Sequence, residues 1–184
     1  MEDAAAVDAT GEATSDQCGW WFSQHHRSFQ AQETTDCSDG FSESLQVITQ
    51  AFQQQGPFDG VLGFSQGASM VSLLCAMQAQ QAPDSVIKFD FAIVIAGFKS
   101  RSTKHADLYT QQVTIPTLHV YGDTDKVIGR DMSEELLQLY VEPVILNHPG
   151  GHFIPAAAPH KKVYAEFLGD MLRLKQLKDA PEKT

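Results

Sequence analysis

The pentapeptide Gly63-Phe64-Ser65-Gln66-Gly67 is the feature that most constrains the fold of this chain. It lies between a short apolar run over 58–64 and a segment rich in helix formers over 68–79. G-x-S-x-G on a sharp turn from strand to helix exposes the serine. The N–H groups at the start of such a helix can donate to a developing oxyanion. The sequence therefore predicts Ser65 as a nucleophile and the backbone N–H of Gln66 as an oxyanion-hole donor.

The rest of the chain alternates short apolar runs with helical patterns. Continuous apolar strands that alternate with helices indicate a parallel sheet covered on both faces, so the fold class is α/β. A helix is predicted from Phe41, with Ser38 and Asp39 as capping residues and Gly56-Pro57 as its end. Further strands are predicted over 89–98, 117–121 and 144–146, and further helices over 133–140 and 159–174.

Ser65 requires a general base, and the base requires an acid that orients it. Two loops that follow predicted strands offer these groups. In the first loop we favour Asp125 over Asp123, because Asp123 directly follows a turn glycine and can cap the turn. This preference rests partly on the resemblance described next. In the second loop we favour His152 over His148, because two glycines let the chain curl over the serine. The order Ser, Asp, His, each after a strand, is the α/β-hydrolase order.

Four ordered segments carry a family resemblance. They are residues 56–67, 95–98, 119–128 and 150–155, and together they resemble the eukaryotic family of serine hydrolases, within the α/β-hydrolase superfamily. The resemblance covers about 19–170. It implies an α/β-hydrolase fold with a mostly parallel sheet, carboxylic (alkyl or acyl) ester substrates, no cofactor, and a location in the cytoplasm and also the nucleus. By motif matching it assigns Ser65 as nucleophile, Asp125 as acid and His152 as base.

The expected reaction is cleavage of a small-molecule or lipid ester through an acyl-enzyme. Phe64, Phe98 and Phe153 flank the motif loops and are the preferred candidates for substrate binding; Trp20, Trp21, Phe22 and Ile154 are further candidates for an acyl wall. Acyl-protein thioesterases share the stretch around the serine, so a thioesterase-like activity is one alternative. A catalytically impaired hydrolase-like module that binds acyl ligands or protein partners is another.

The second alternative arises from the start of the chain. α/β-Hydrolases take a second oxyanion donor from a loop after an early strand, and no apolar run ending in Gly occurs in the first 60 residues. Residues 1–18 instead combine Ala and Thr with five acidic residues and predict a disordered tail. We therefore expect a hydrolase domain over 19–173, truncated on its N-terminal side, and a flexible tail over 174–184. Loss of one oxyanion donor costs about 10²–10³ in rate.

The composition of the chain limits the classes of partner that we expect it to bind. The 184 residues include 13 basic and 23 acidic ones, for a net charge of −10, which argues against nucleic acid and anionic membranes as partners. No apolar run is long enough for a transmembrane helix. Three cysteines without metal-like spacing favour a reducing compartment. His25-His26 has no Cys or acidic residue at ligand spacing, so no metal site is predicted. The sequence does not predict the oligomeric state.

Overall fold

The computed structural model describes residues 6–7, 13–14, 18–80 and 85–180. Most of the predicted acidic tail over 1–18 lies outside these ranges. Described residues of this tail form two short strands, β1 (Ala6–Val7) and β2 (Ala13–Thr14), which pair antiparallel with each other. Residues 181–184 of the predicted C-terminal tail also lie outside the described residues, so the tail assignments stay predictions for these four residues and for the part of 1–18 that is not described.

The described chain is built on a parallel sheet of four strands that lie side by side in chain order. Each strand is followed by a helix, which is the pattern expected of an α/β fold. This confirms the predicted fold class. The strands are β3 (Gly60–Phe64), β4 (Phe91–Ile95), β5 (Thr117–Gly122) and β6 (Val144–His148). The helices are α1 (Phe41–Gln55), α2 (Gln66–Ala79), a 3₁₀ helix (Thr103–Thr110), α3 (Arg130–Leu137) and α4 (Ala158–Asp179).

The side chains of β4 show why the apolar runs are continuous. Ala92 and Val94 pack into the cluster formed with α2, whereas Ile93 and Ile95 pack into a second cluster with Phe167 of α4. Successive side chains of a strand point to opposite faces, so a strand with helices on both faces has no polar position.

Two helices behave as their sequences predict. Every residue of α2 from 68 to 76 is buried, as its apolar circumference indicates. The predicted apolar face of α1, which consists of Phe41, Leu45, Ile48 and Phe52, packs against the same cluster as α2.

The helix ends differ from the predictions in three places. The helix α1 follows Gly40, which has a φ of 88°, and no side chain caps it; the carboxylate of Asp39 instead contacts His25. The helix α3 starts and ends earlier than predicted. The helix α4 runs on to Asp179, into the segment predicted as a tail. No helix in the described part of the chain has the length and apolar character needed to cross a membrane.

The strand before the nucleophile motif, β3, lies at one edge of the sheet in the described residues. Leu62 of β3 is 59% exposed, although its partner Ile93 on β4 is buried on the same face. The cover that α4 gives to the neighbouring strands therefore does not reach Leu62, although Phe64 at the end of β3 packs against the cluster that contains Phe167 of α4.

Candidate active site

Ser65 lies on the turn between β3 and α2, as the pentapeptide predicts. Its φ of 54° and ψ of −122° are unusual for a residue with a side chain and indicate a strained turn. The backbone N–H of Ser65 donates to the carbonyl of Ile95 at 2.9 Å, which ties the turn to β4. A Cβ at Gly63 would lie 2.3 Å from the carbonyl oxygen of Gly67, so only glycine allows this close approach.

A chain of hydrogen bonds joins three of the predicted side chains. Nε2 of His152 lies 2.9 Å from Oγ of Ser65, and Nδ1 of His152 lies 2.8 Å from Oδ2 of Asp125. When Nδ1–H donates to the carboxylate, Nε2 is free to accept the hydroxyl proton of Ser65. The arrangement can therefore remove a proton from the serine and stabilise the charge that results.

Backbone groups orient the carboxylate of Asp125. Its Oδ1 accepts hydrogen bonds from the N–H groups of Val127 at 2.8 Å and Ile128 at 2.9 Å. The side chain is almost completely buried. Three hydrogen bonds thus fix the carboxylate with Oδ2 directed at His152.

The two residues that the sequence left as alternatives have other partners. The carboxylate of Asp123 accepts hydrogen bonds from Arg130 at 2.7 Å and Asn147 at 2.9 Å. The hydrogen bond from Asn147 and the charge of Arg130 lower the pKa of Asp123. His148 is buried, its Nδ1 accepts the N–H of Gly150 at 3.2 Å, and burial lowers its pKa. Neither residue belongs to the hydrogen-bond chain of Ser65.

Two glycines bring the acid loop and the histidine loop together. A Cβ at Gly122 would lie 2.2 Å from the carbonyl oxygen of Gly150, which leaves no room for a side chain. The same carbonyl accepts the N–H of Thr124 at 3.1 Å. The loops after β5 and β6 therefore lie in direct contact, and this places Asp125 beside His152.

A pocket of about 700 Å³ opens beside Ser65. One wall comes from the turn and from residues 126–128. The second wall comes from residues between 18 and 40, a stretch outside the helices and the sheet that we call the 18–40 segment. The wall residues from this segment are Cys18, Gly19, Trp20, Phe22, Phe29, Gln30, Ala31 and Gln32. The polar sequence after Phe22 gave no pattern from which the role of residues 29–32 could be predicted.

The three preferred substrate-binding candidates occupy different places. Phe64 lines the pocket, and its ring lies 4.8 Å from the ring of His152. Phe98 is buried with Ile128 in a core cluster beneath the wall. Phe153 is half exposed and its ring packs on His148 at 4.9 Å. Of the three, only Phe64 is among the residues that line the pocket. Trp20 and Phe22 of the wider set also line it.

Gln66 connects the nucleophile turn to the 18–40 segment. Its Oε1 accepts the backbone N–H of Trp20 at 2.8 Å, and its Nε2 donates to the carbonyl of Trp21 at 2.7 Å. Gln66 is also the first residue of α2, where a backbone N–H has no acceptor within the helix. One residue thus offers a backbone donor beside Ser65 and a side-chain anchor for the pocket wall.

Comparison with solved structures shows the fold. The chain superposes on Zea mays acyl-protein thioesterase 2 with a TM-score of 0.61, over 92% of this chain and 78% of that one, at 16% identity. At this identity the likeness shows the fold, which is that of the α/β hydrolases, as predicted.

Sequence comparison identifies the family. The family model described as "Serine hydrolase (FSH1)" matches residues 1–164, and the chain belongs to this family. Esterase OVCA2 of Xenopus tropicalis is 52% identical over 155 residues, which are 84% of this chain and 66% of that protein. Esterase OVCA2 of Danio rerio is 47% identical over 156 residues, 83% of this chain and 68% of that protein. The family resemblance is confirmed, and the chain spans about two thirds of the length of these relatives.

Proposed function

We propose that this chain is a serine hydrolase that cleaves carboxylic esters through a Ser65–His152–Asp125 triad. The observation that carries the proposal is the hydrogen-bond chain from Ser65 Oγ through both ring nitrogens of His152 to Asp125. Membership of the serine hydrolase family and the esterase names of its relatives support it.

In the first half of the reaction Oγ of Ser65 attacks the ester carbonyl while Nε2 of His152 accepts its proton. The carboxylate of Asp125 stabilises the imidazolium through Nδ1–H. The negative oxygen of the tetrahedral intermediate accepts a hydrogen bond from the backbone N–H of Gln66. His152 then gives its proton to the leaving alcohol, the C–O bond breaks, and the acyl group stays on Ser65.

In the second half a water molecule attacks the acyl-enzyme. Nε2 of His152 takes a proton from the water as the oxygen bonds to the carbonyl carbon. The intermediate collapses, the proton passes to Oγ of Ser65, and the carboxylic acid leaves. The side chains end in their starting protonation states, so no cofactor is required by this cycle.

The substrate class we propose is a small-molecule or lipid ester. The pocket beside Ser65 presents the aromatic rings of Trp20, Phe22 and Phe64, which suit an apolar acyl chain. A thioester carbonyl would undergo the same attack, so a thioesterase-like activity belongs to the same proposal. A cytoplasmic location, with the nucleus as a second one, stays a prediction.

A second candidate function is a hydrolase-like module that binds acyl ligands or a protein partner with little turnover. The position of β3 at the sheet edge favours it, because the described residues contain no further strand beside the nucleophile. The described residues then offer no second oxyanion donor from a loop after such a strand.

Hydrolysis of p-nitrophenyl esters of increasing acyl length, with the full chain and with Ser65→Ala, separates the two candidates. We expect hydrolysis by the full chain that is lost in the variant. An acyl-thiocholine substrate measured in parallel compares thioesters with oxygen esters. A wild-type chain that melts cooperatively but hydrolyses no faster than Ser65→Ala would reject the esterase and favour the binding module.

A further inference from the structure

The 18–40 segment brings three different metal-binding atoms together. Nδ1 of His25 lies 3.1 Å from Oδ2 of Asp39 and 3.8 Å from Sγ of Cys37, and the three atoms all lie within 4.8 Å of one another. The sequence predicted no metal site because no suitable residue stands at ligand spacing from His25. The fold supplies the ligands from 12 and 14 residues further along the chain.

Two of the three separations fit a tetrahedral zinc ion, and the third, between Cys37 and Asp39, is no more than 4.8 Å. Zinc binds sulfur at about 2.3 Å and nitrogen or oxygen at about 2.0–2.1 Å. In a tetrahedron with these bond lengths the nitrogen and oxygen ligands are about 3.3 Å apart, and the sulfur and nitrogen ligands about 3.6 Å. The separations of 3.1 and 3.8 Å differ from these values by only a few tenths of an ångström. An ion can therefore bind after small side-chain adjustments.

Hydrogen bonds hold in place the parts of the 18–40 segment that carry the three ligands. The N–H of Phe22 donates to the carbonyl of Asp39 at 2.8 Å. Oγ1 of Thr35 accepts the N–H of Cys37 at 3.0 Å and donates to the carbonyl of Ser23 at 2.8 Å. These bonds bring the chain near His25 to the chain near Cys37 whether or not an ion is bound, so little ordering is needed on binding.

Exposure and charge also suit a cation. The side chain of His25 is 79% exposed and that of Asp39 is 49% exposed, whereas Cys37 is buried, so an ion can enter from solvent and reach the sulfur. On binding, the thiol of Cys37 would lose its proton to solvent. One thiolate and one carboxylate would then balance the two positive charges of zinc.

We propose that His25, Cys37 and Asp39 form a zinc-binding site, with water as the fourth ligand. A thiolate together with an imidazole favours zinc over magnesium or calcium. The ion would clamp the 18–40 segment and so fix Trp20 and Phe22 in the pocket wall, without a part in the chemistry at Ser65. The proposal does not depend on the proposed esterase function.

Cobalt(II) is the probe for this site, because a cobalt–thiolate bond gives a charge-transfer band in the near ultraviolet. The full chain, stripped of metal with a chelator, is titrated with cobalt and then with zinc. We expect one equivalent of cobalt to produce the band, zinc to remove it, and zinc alone to raise the melting temperature. Ser65→Ala should bind both ions like the wild type.

Matched variants assign the ligands. Cys37→Ser should abolish the band, and His25→Gln and Asp39→Asn should each weaken cobalt binding by at least about tenfold, because losing even a supporting partner of a ligand costs 10–100-fold. His26→Gln is the control, because Nε2 of His26 lies 3.0 Å from the hydroxyl of Ser28 and is not one of the three ligands. Cys18→Ser controls for the other cysteine of the segment.

Three results would overturn the proposal. They are the absence of a band in the folded wild type, a band that persists in Cys37→Ser, and unchanged cobalt affinity in His25→Gln. His25→Gln alters an exposed side chain, so this variant tests the proposed site even if Cys37→Ser does not fold.

Discussion

The two walls of the pocket are built in different ways. The loops that carry Ser65, Asp125 and His152 follow strands of a parallel sheet, and backbone groups and glycine contacts fix their positions. The 18–40 segment has no helix and no strand of that sheet, and it is held by backbone hydrogen bonds and by side-chain hydrogen bonds such as those of Gln66. The sheet therefore positions the catalytic side chains, whereas loop contacts, among them those of Gln66, position the second wall. Substitutions should affect turnover on one side and substrate binding on the other.

The largest expected effect is at the base. His152→Ala removes the group that accepts the proton of Ser65, so kcat should fall by at least about 10³-fold. Ester hydrolysis under saturating substrate measures it, with a thermal melt to confirm that the variant folds. Activity within tenfold of the wild type would mean that another residue acts as the base.

The two aspartates of the acid loop form a matched pair. Asp125→Asn should lower kcat by about 10³–10⁴-fold, because an amide cannot hold His152 in the required tautomer. Asp123→Asn should change kcat less than threefold, because the carboxylate of Asp123 contacts Arg130 and Asn147 and not His152. A threefold change corresponds to roughly the free energy of one exposed ion pair. Equal losses in the two variants would contradict the assignment of the acid.

Two glutamines of α2 test the role of the 18–40 segment. Gln66 bonds to the backbone of Trp20 and Trp21, and Gln78 makes the same kind of double contact with Phe89 away from the pocket. Gln66→Ala and Gln78→Ala should each cost about 1–3 kcal/mol of stability, because backbone groups lose their partners.

Only Gln66→Ala should impair hydrolysis. We expect its KM to rise several-fold, which corresponds to a loss of about 1 kcal/mol in substrate binding, and its kcat to change less. Steady-state kinetics on both variants, beside their melting curves, measure this. If the two variants lose activity in proportion to their stability, the contact between Gln66 and the pocket wall has no specific role.

The smallest expected effect on activity comes from two buried histidines, which act on the pH dependence of stability instead. Burial lowers the pKa of His119 in β5 to about 3 and that of His105, whose ring contacts Trp21, to about 4. The unfolded chain takes up these protons near pH 6.5. The stabilisation is therefore complete above pH 6.5 and is lost as the pH falls toward 4, by up to about 1.4 kcal/mol per pH unit for each histidine.

The variant His119→Leu should reduce the slope of stability against pH in this window, whereas the exposed-site variant His26→Gln should not. Urea unfolding at several pH values between 4 and 7 measures the slopes. An unchanged slope in His119→Leu would show that His119 does not titrate as described.

The sequence predicts the sheet and its catalytic loops better than it predicts the 18–40 segment. Apolar runs predict β3 to β6, and glycine-bounded loops after strands predict Ser65 and His152, because the carboxyl ends of parallel strands meet at one edge of a sheet. The choice of Asp125 over Asp123 rests partly on the family resemblance. Local sequence determines these features, and only helix ends such as those of α3 and α4 differ.

The sequence predicts the 18–40 segment poorly because long-range contacts shape it. Gln66 bonds to residues more than 40 positions away, and Cys37 and Asp39 reach His25 only through the fold. Phe98 illustrates the same limit, since proximity to a motif loop does not distinguish a buried ring from a pocket-lining one.

Labelling with a fluorophosphonate tests the central claim, that His152 and Asp125 activate Ser65, more directly than turnover does. The intact mass of the full chain should increase by a single adduct, which peptide mapping should locate at Ser65. Labelling should vanish in Ser65→Ala and slow strongly in His152→Ala, while Asp123→Asn labels at the wild-type rate. A cooperatively folded wild-type chain that takes up no adduct, or takes it up equally in Ser65→Ala, would contradict the claim.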